Sequence, residues 1–321
     1  MKRKLFTWLA IAMSFTNLMA QDPQFSQFYA NPLYLNPAFA GTNICGRLSM
    51  NFRDQWPAIQ GTYVTYSASY DQHFNNFGGL GFLVTSDNAA KGTIITNRVG
   101  LMYAYQQNIL QDLSFSVALQ LDVEQKNLGT NGQLFGDRID PKTGPGNIYG
   151  EVVPATTITY PDFSAGAVVY GNYYQAGFAA HHLLKPNQSL MNGQSLLPTK
   201  FTAHAGLIIP LPENKPRYAR SGSYISPQAI YQQQQDFTEL NLGFYAKKGP
   251  ITGGLWYRTR DAIIVSVGIQ KNAFRFAYSY DVTLSKLGFS TLGSHELSAG
   301  YRFKCVNKAK KIKYLECPGF G

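Results

Sequence analysis

Charged residues are scarce in this 321-residue chain. Asp, Glu, Lys and Arg together make up 14% of it, against about 25% in an average soluble domain. After residue 20 the sequence has no apolar run of the length that a membrane-spanning helix needs, about 20 residues. Any membrane insertion of the later chain must therefore use β-strands. Nucleic-acid-binding motifs are also lacking, so the formal charge of +10 indicates acidic partners or anionic lipid headgroups rather than nucleic acid.

The first 20 residues have the features of an export signal. Lys2, Arg3 and Lys4 form a basic start, a mostly apolar stretch follows, and Ala20 provides a small residue before the cleavage site. A transmembrane anchor is the alternative, but the stretch is short and polar residues interrupt it. No Cys follows the cleavage site, which gives no indication of a lipid-modified N-terminus. We predict a signal peptide over residues 1–20.

Apolar and polar residues alternate along most of the remaining chain. From Leu113 to Val123 every odd position is apolar and every even position is small, polar or acidic. Side chains of a strand point alternately to opposite faces, so such a segment has one apolar face for lipid and one polar face for a wet lumen. The 21 Tyr and 21 Phe suit the aromatic girdles of such a barrel, and the 30 Gly suit bends within its strands.

Fourteen strands are predicted from this alternation, an even number as single-chain bacterial barrels require. They cover residues 45–53, 62–73, 78–86, 93–108, 112–126, 162–170, 173–182, 200–210, 224–233, 237–247, 251–258, 262–271, 274–281 and 296–304. The fold class is thus all-β, a transmembrane antiparallel β-barrel over residues 45–304. Arg98, Asp122, Glu124, Glu239 and Arg275 should point into the lumen, because charge on the lipid face is unfavourable.

Connection lengths separate the two ends of this barrel. The long connections, residues 127–161, 183–199 and 282–295, all fall on the end opposite the N-terminus, and most turns on the other end are short. Outer-membrane barrels have short periplasmic turns and long external loops. The long connections are therefore predicted to face outside. Residues 211–223 are an exception, a longer periplasmic turn carrying Lys215, Arg217 and Arg220.

Residues 21–44 do not resemble a strand. Pro23, Pro32 and Pro37 stand among aromatic residues there, and proline cannot donate to a β-ladder. Disorder is the alternative, but disordered segments are poor in aromatics. We expect the segment to pack in or under the barrel, or against a partner. Its candidate contact residues are Asn31, Pro32, Tyr34, Leu35, Asn36, Pro37 and Phe39.

The C-terminal residues 305–321 are predicted to be a basic periplasmic tail. Lys308, Lys310, Lys311 and Lys313 are candidates for contact with an acidic partner, and a solvated charge run is the alternative.

The three cysteines of the chain are Cys45, Cys305 and Cys317. An oxidising periplasm permits one disulfide from Cys45 to either of the others, leaving one thiol over, and three free thiols remain the alternative.

No constellation of residues predicts an enzyme, a cofactor site or a metal site. His181 and His182 are adjacent and should point to opposite faces of a strand, which is poor geometry for one metal ion. A pair formed by His181 and His204, on consecutive strands across an external loop, is the alternative. No G-x-S-x-G nucleophile motif is present. A barrel hydrolase would therefore need support from a measured esterase activity.

Several motifs resemble the PorP/SprF family of outer-membrane proteins, which is linked to the type IX secretion system of Bacteroidota. Residues 24–41 read QFSQFYANPLYLNPAFAG, like the opening signature of that family. The likeness continues through NFRDQWP at 51–57, GGLG at 78–81, FSAG at 163–166, HLLKP at 182–186, YSYDVT at 278–283, GSHE at 293–296 and CPGF at 317–320. The extra Gly321 at the end is a small departure from the family pattern.

This resemblance implies a non-enzymatic outer-membrane component of type IX secretion or gliding motility. Partners implied by it are a secreted surface protein or adhesin, bound through a C-terminal targeting domain, and components of the periplasmic ring or its lipoproteins. A diffusion channel for small solutes is the main alternative, and a secreted soluble β-sandwich is a further one. The alternation and composition by themselves indicate only a barrel in outer-membrane lipid.

Overall fold

Strands make up most of the chain, as the alternation predicts. The computed structural model describes residues 22–43, 45–59, 61–74, 77–129, 139–140, 144–145, 156–190, 193–212, 222–284, 291–304 and 317. The long strands are β1 (Arg47–Gln55), β2 (Tyr63–Phe74), β3 (Gly78–Ala89), β4 (Ile94–Leu110), β5 (Leu113–Leu128), β6 (Thr156–Gly171), β7 (Tyr174–His181), β8 (Lys200–Leu207), β9 (Tyr224–Gln234), β10 (Phe237–Lys248), β11 (Ile251–Arg258), β12 (Ala262–Lys271), β13 (Phe274–Thr283) and β14 (Ser294–Arg302).

These strands form one closed antiparallel barrel. Each strand pairs with the next along the chain, and β14 pairs back onto β1, with Arg47 opposite Arg302 and Gln55 opposite Ser294. The predicted class, an all-β barrel of fourteen strands, is confirmed. Two short pairings are also present, the first of them a separate two-stranded sheet. Ile139–Asp140 pairs with Gly144–Pro145, and Ile209–Pro210 extends the edge contact with β9.

The predicted strands match the observed ones in order, with shifts at their ends. The largest shift is in β6, which begins at Thr156 rather than at residue 162. Pro161 suggested a loop, but it lies within the ladder opposite Val123. At the periplasmic end of the barrel, β1 begins after Cys45 and β14 ends before Lys304.

The two faces of the strands differ as expected. On β12, Val265 and Val267 are about half exposed on the outer face, at 50% and 56%, whereas the intervening Ser266 is buried. Arg98, Asp122, Glu124 and Glu239, four of the five charged residues predicted to point inwards, are buried; the fifth, Arg275, is half-buried.

Part of the lumen is apolar. Leu83, Met102, Ile230, Trp256 and Ile264 belong to a buried hydrophobic cluster inside the barrel. These inward-facing apolar residues contact the N-terminal part of the chain instead of water.

The ends of the barrel carry different connections. The turns at residues 111–112, 172–173, 249–250 and 272–273 are short and lie at one end, and the long connections 129–155, 182–199 and 284–293 lie at the other. We therefore assign the short-turn end to the periplasm and the other end to the outside. Lys215, Arg217 and Arg220, in the exceptional periplasmic turn, lie outside the described residues.

In the part of the chain that the structure describes, no helix is long and apolar enough to cross a membrane.

Residues 22–43 form short helical turns instead of a strand. A 3-10 turn covers Phe28–Ala30, helix α1 covers Pro32–Leu35, and a second 3-10 turn covers Pro37–Phe39. Proline stands first in the last two of these turns, where its fixed φ suits a helix start and its missing N–H is not needed. The prolines thus favour short helical turns in this segment, which does not pair with a β-strand.

Candidate functional site

The N-terminal part of the chain, residues 22–43, lies inside the barrel, and we refer to it as the lumenal segment. Ala30, Leu33, Ala38 and Phe39 in it have no solvent exposure. Its polar groups bond to inward-facing residues of strands around the ring, among them β1, β2, β4, β8, β13 and β14. The barrel and the segment therefore share one core.

Acidic side chains on β13 and β14 hold the beginning of the lumenal segment. The backbone N–H of Ser26 donates to Glu296 Oε2 (2.6 Å), and the Ser26 hydroxyl donates to Asp281 Oδ2 (2.5 Å). The side chain of Gln27 donates to the backbone oxygen of Glu296 (2.9 Å) and accepts from Ser298 Oγ (2.5 Å). Fully buried backbone and side-chain groups are thus satisfied across the lumen.

Two arginines balance these carboxylates. Arg53 Nη2 lies 2.8 Å from Asp281 Oδ2, and Arg53 Nη1 lies 3.5 Å from Glu296 Oε2. Arg258 Nη1 lies 3.4 Å from Asp281, and Arg258 Nε lies 3.5 Å from Glu239. Three buried carboxylates face two guanidinium groups, so the N–H donors of the lumenal segment supply part of the compensation.

A second charged cluster holds Asp22, the first described residue of the segment. Asp22 Oδ2 lies 2.8 Å from His182 Nε2 and 3.6 Å from Lys200 Nζ. The other ring nitrogen of His182, Nδ1, lies 2.6 Å from Asp162 Oδ2. His182 follows β7 outside the strands. Its position near the external end of the barrel shows that the lumenal segment reaches from the periplasmic end almost through the lumen.

The pKa values of this pair favour its charged form. Burial raises the pKa of the Asp22 carboxyl, but His182 and Lys200 outweigh burial and hold that pKa well below its usual value. Burial lowers the pKa of His182, but Asp22 and Asp162 raise it to about 9. His182 is therefore an imidazolium between two carboxylates at neutral pH.

Glu124, Asp162 and His182 bring three potential metal-ligand atoms within 4.8 Å of one another. Arg98 occupies the same cluster, with its Nε 2.5 Å from Glu124 Oε1. Both ring nitrogens of His182 already face carboxylates. We assign the cluster to ion pairing within the barrel.

Asn36 holds the middle of the lumenal segment against β6, β7 and β8. Its Nδ2 lies 3.0 Å from His204 Nε2 and donates to the backbone oxygens of Ala167 and Phe178 (both 3.2 Å). Its Oδ1 accepts from the N–H of Ala38 (2.9 Å) and so caps the 3-10 turn that follows. A donating Asn36 amide requires His204 Nε2 to be the accepting nitrogen of a neutral ring.

Aromatic rings complete the packing between segment and barrel. Phe28 contacts Trp256 with ring centroids 4.9 Å apart, and Tyr29 contacts Tyr245 edge-to-face at 4.7 Å. Phe39 packs on the ring of His204 at 5.0 Å. Such pairs add to area burial by about 0.5–1.5 kcal/mol each. Packing as well as hydrogen bonding therefore fixes the segment.

Two glycines of the barrel wall make room for the lumenal segment. A Cβ on Gly79 of β3 would lie 2.1 Å from the backbone oxygen of Ala40, and a Cβ on Gly166 of β6 would lie 2.1 Å from Asn36 Oδ1. Both glycines belong to short motifs, GGLG and FSAG. From the sequence alone, the only explanations for these motifs are strand bending and resemblance to the family. Close approach of the lumenal segment is the physical reason for them.

The periplasmic end of the segment is also anchored. The N–H of Gly41 donates to Asp71 Oδ2 (2.9 Å), and Asp71 pairs with Arg47 (2.8 Å). Cys45 takes part in a disulfide bond, and the buried thiol of Cys317 belongs to the lumenal hydrophobic cluster. The N–H of Cys317 donates to the oxygen of Thr42 (3.3 Å), so this point of the tail lies against the segment. Cys305 is outside the described residues.

The structure places the candidate contact residues of the lumenal segment inside the barrel. All are buried except Tyr34, which is half-buried, donates to the oxygen of Pro23 and lies under Lys200 Nζ at 5.4 Å. The buried set is Asn31, Pro32, Leu35, Asn36, Pro37 and Phe39. Asn31 donates to Ser67 Oγ (3.0 Å). Lys308, Lys310, Lys311 and Lys313 lie outside the described residues.

Sequence reasoning missed Asp22, Ser26 and Gln27 as anchors. The polar residues of the opening motif were the only available signal, since their partners Glu296 and His182 are more than 150 residues away in sequence.

The expectation for the histidine pair is wrong. Strand β7 ends at His181, and His182 has a left-handed φ of +58°. Both side chains are consequently buried rather than on opposite faces. His181 lies opposite Lys200 in the β7–β8 ladder, whereas His204 lies opposite Gly177, so the two histidines are not cross-strand neighbours.

Comparison with known families decides where this barrel belongs. The model of the type IX secretion system membrane protein PorP/SprF matches residues 17–301. The chain belongs to the PorP/SprF family. It is accordingly a membrane protein of the type IX secretion system and, with its barrel fold, resides in the outer membrane. No curated protein matches this chain.

Solved structures of outer-membrane proteins resemble this PorP/SprF protein at low sequence identity. The toluene transporter TbuX of Ralstonia pickettii is 13% identical, with a TM-score of 0.51 over 86% of this chain and 94% of that chain. Omp33 of Acinetobacter baumannii is 10% identical over 82% and 100% of the chains, with a TM-score of 0.45. A FadL homologue of Pseudomonas aeruginosa is 15% identical over 91% and 97%, with a TM-score of 0.43.

Proposed function

We propose that this PorP/SprF protein is a closed, non-enzymatic interaction barrel rather than a solute channel. It binds a secreted surface protein through the cargo's C-terminal targeting domain, or components of the periplasmic ring, and supports export and surface retention. A part in gliding motility belongs to the same proposal. One observation carries it: the lumen is occupied by a segment whose buried polar groups bond to Glu296 on β14 and Asp281 on β13 and, across the barrel, to His204 on β8.

Occupation of the lumen argues against a diffusion channel. A channel needs a continuous wet path, whereas here Trp256, Ile264 and Leu83 pack with the lumenal segment in one hydrophobic cluster. A barrel of fourteen strands is also too narrow for a folded surface protein. The surfaces left for partners are the external connections and the periplasmic rim.

A mild-detergent pull-down of the tagged full-length protein from its native outer membrane, followed by mass spectrometry, tests this proposal. The control carries the same tag on an unrelated outer-membrane barrel. Specific recovery of one large surface protein with a C-terminal targeting domain supports a cargo partner, and recovery of periplasmic ring components supports a role at the secretion motor. Recovery of neither after crosslinking would contradict the proposal.

A further inference from the structure

Positive charge is concentrated at the periplasmic rim of the lumen. Arg47 of β1 lies directly opposite Arg302 of β14, and Arg275 of β13 lies opposite Gly300, two residues before Arg302 on β14. Asp71 pairs with Arg47, but no carboxylate among the described residues pairs with Arg275 or Arg302. Like charges placed opposite each other destabilise a sheet. The rim therefore carries an excess of positive charge that an anionic group would relieve.

Arg275 is the least compensated of these cations. Its side chain is half-buried, and its Nε is buried without a hydrogen-bond partner in the described chain. The guanidinium lies over the ring of Tyr29 at 5.1 Å. A ring face attracts a cation but accepts no hydrogen bond of the kind that a carboxylate does. A guanidinium N–H removed from water without an acceptor is unfavourable, so a group that accepts a hydrogen bond from Nε would be stabilised here.

A small cavity adjoins the Arg275 side chain. It has a volume of about 30 Å³ and is lined by Tyr29, Tyr224, Ser226, Gln228, Tyr245, Thr252, Gln270 and Arg275. Such a space holds one or two waters, which is also the size of a carboxylate group and too small for a sugar or a nucleotide. Tyr224 and Gln270 keep partial exposure, and both lie at strand ends near the periplasm, so the cavity faces that side.

We propose that this cavity binds a carboxylate side chain from an acidic peptide segment of a periplasmic partner protein. The planar guanidinium of Arg275 matches a carboxylate in a two-point contact. Arg302 and Lys247 at the same rim then meet neighbouring acidic residues of that segment. Lys247 is already oriented there by its hydrogen bond to Gln270 Oε1 (2.9 Å). This inference rests on the proposed partner role and names the chemistry of one contact.

The test uses the full-length protein in detergent and a fluorescein-labelled tetraglutamate peptide, with binding followed by fluorescence anisotropy at low salt. Arg275→Gln removes the charge, and Arg275→Lys keeps it. The matched control is Arg260→Gln, because Arg260 is exposed on a turn at the opposite end of the barrel. Heat-modifiable mobility on gels verifies that each variant is folded.

We expect Arg275→Gln to weaken peptide binding at least tenfold. Arg275→Lys keeps the charge but loses the two-point contact, so it should weaken binding by less than Arg275→Gln does. Arg260→Gln should leave binding within twofold, since an exposed charge contributes little. Equal binding by Arg275→Gln and the unaltered protein, or no binding by a folded unaltered protein, overturns the proposal. Displacement of the peptide by inorganic phosphate far better than by acetate at equal concentration also overturns it, because the site would then be one for phosphate or lipid headgroups. In each case, recovery of partners in the pull-down would still support the proposed function.

Discussion

At the scale of single residues, a few polar side chains fix the lumenal segment in the barrel. Asn36 is the clearest example, since its amide contacts three strands and caps a turn of its own segment. Such a residue is costly to displace, because each buried donor or acceptor left without a partner costs about 1–3 kcal/mol. The wall opposite must therefore leave space for it.

Gly166→Ala is predicted to destabilise the protein by about 1–3 kcal/mol, the usual cost of overpacking. The new methyl group would lie 2.1 Å from Asn36 Oδ1 and would force that amide away from His204. The measurement is the temperature at which the detergent-solubilised barrel loses its heat-modifiable gel mobility.

Gly253→Ala is the matched control for this variant. Gly253 is also a strand glycine, but the nearest atom to its added Cβ is Ser266 O at 4.0 Å. Unfolding temperatures that fall equally in both variants would show that Gly166 serves the strand and not the lumenal segment.

Asp22→Asn is predicted to lower stability by about 3 kcal/mol near pH 6, as expected when a buried ion pair loses one partner. The contribution of His182, whose pKa is raised to about 9, is complete below its ordinary pKa of about 6.5 and is lost as pH rises through 9. The contribution of Asp22, whose pKa is lowered, is present above about pH 4 and is lost at lower pH.

The difference between the original protein and Asp22→Asn should therefore be largest between about pH 4 and 6.5 and should shrink above pH 9 to the part that Lys200 supports. Unfolding temperatures measured across this range test the prediction, with Asp236→Asn, an exposed turn residue, as the control. A difference that does not change with pH would exclude the His182–Asp22 pair as its source.

Sequence alone could nominate residues of the lumenal segment but not their partners. Prolines and aromatics made residues 31–39 conspicuous, whereas Asp22 and Ser26 are ordinary polar residues whose role depends on His182 and Asp281 far along the chain. Glycines such as Gly79 carry no side-chain signal at all. Only the fold shows that they face Ala40.

At the scale of elements, strands were predictable because their pattern has a period of two and one lipid-facing side. The two ends of β11 and of β12 were predicted to the residue. Inward positions were harder to interpret, because lumenal residues contact either water or the lumenal segment. Trp256 and Ile264 are therefore apolar residues at inward positions, where the alternation predicts polar ones. The end of β7 was missed because the left-handed φ of His182 has no sequence signature.

Deletion of residues 22–43 is predicted to leave a folded but much less stable barrel. It removes the hydrogen-bond donors that the segment gives to Glu296, Asp281 and Asp71 and exposes the apolar lumen around Trp256. Loss of several buried aromatic and aliphatic contacts, each worth about 1.5–3 kcal/mol, should lower the unfolding temperature strongly. An unfolding temperature equal to that of the full-length protein would show that the segment does not stabilise the barrel.

At the scale of the whole molecule, the lumenal segment occupies the interior of the barrel. Its anchors are spread from the periplasmic Arg47–Asp71 pair to the external His182 cluster, so that the lumen is occupied over most of its length. The family assignment fits this picture, since a membrane protein of a secretion system can act by binding partners at its two ends. The same barrel without the segment would be a candidate solute channel.

Single-channel recording in planar bilayers tests this closure most directly. The full-length protein is predicted to give no steady ohmic steps, and the variant lacking residues 22–43 is predicted to give steps of porin-like size under the same conditions. Antibody detection of both proteins in the bilayer-forming vesicles controls for insertion. Steady porin-like conductance from the intact protein would contradict a closed lumen and with it the account of the molecule as an interaction barrel.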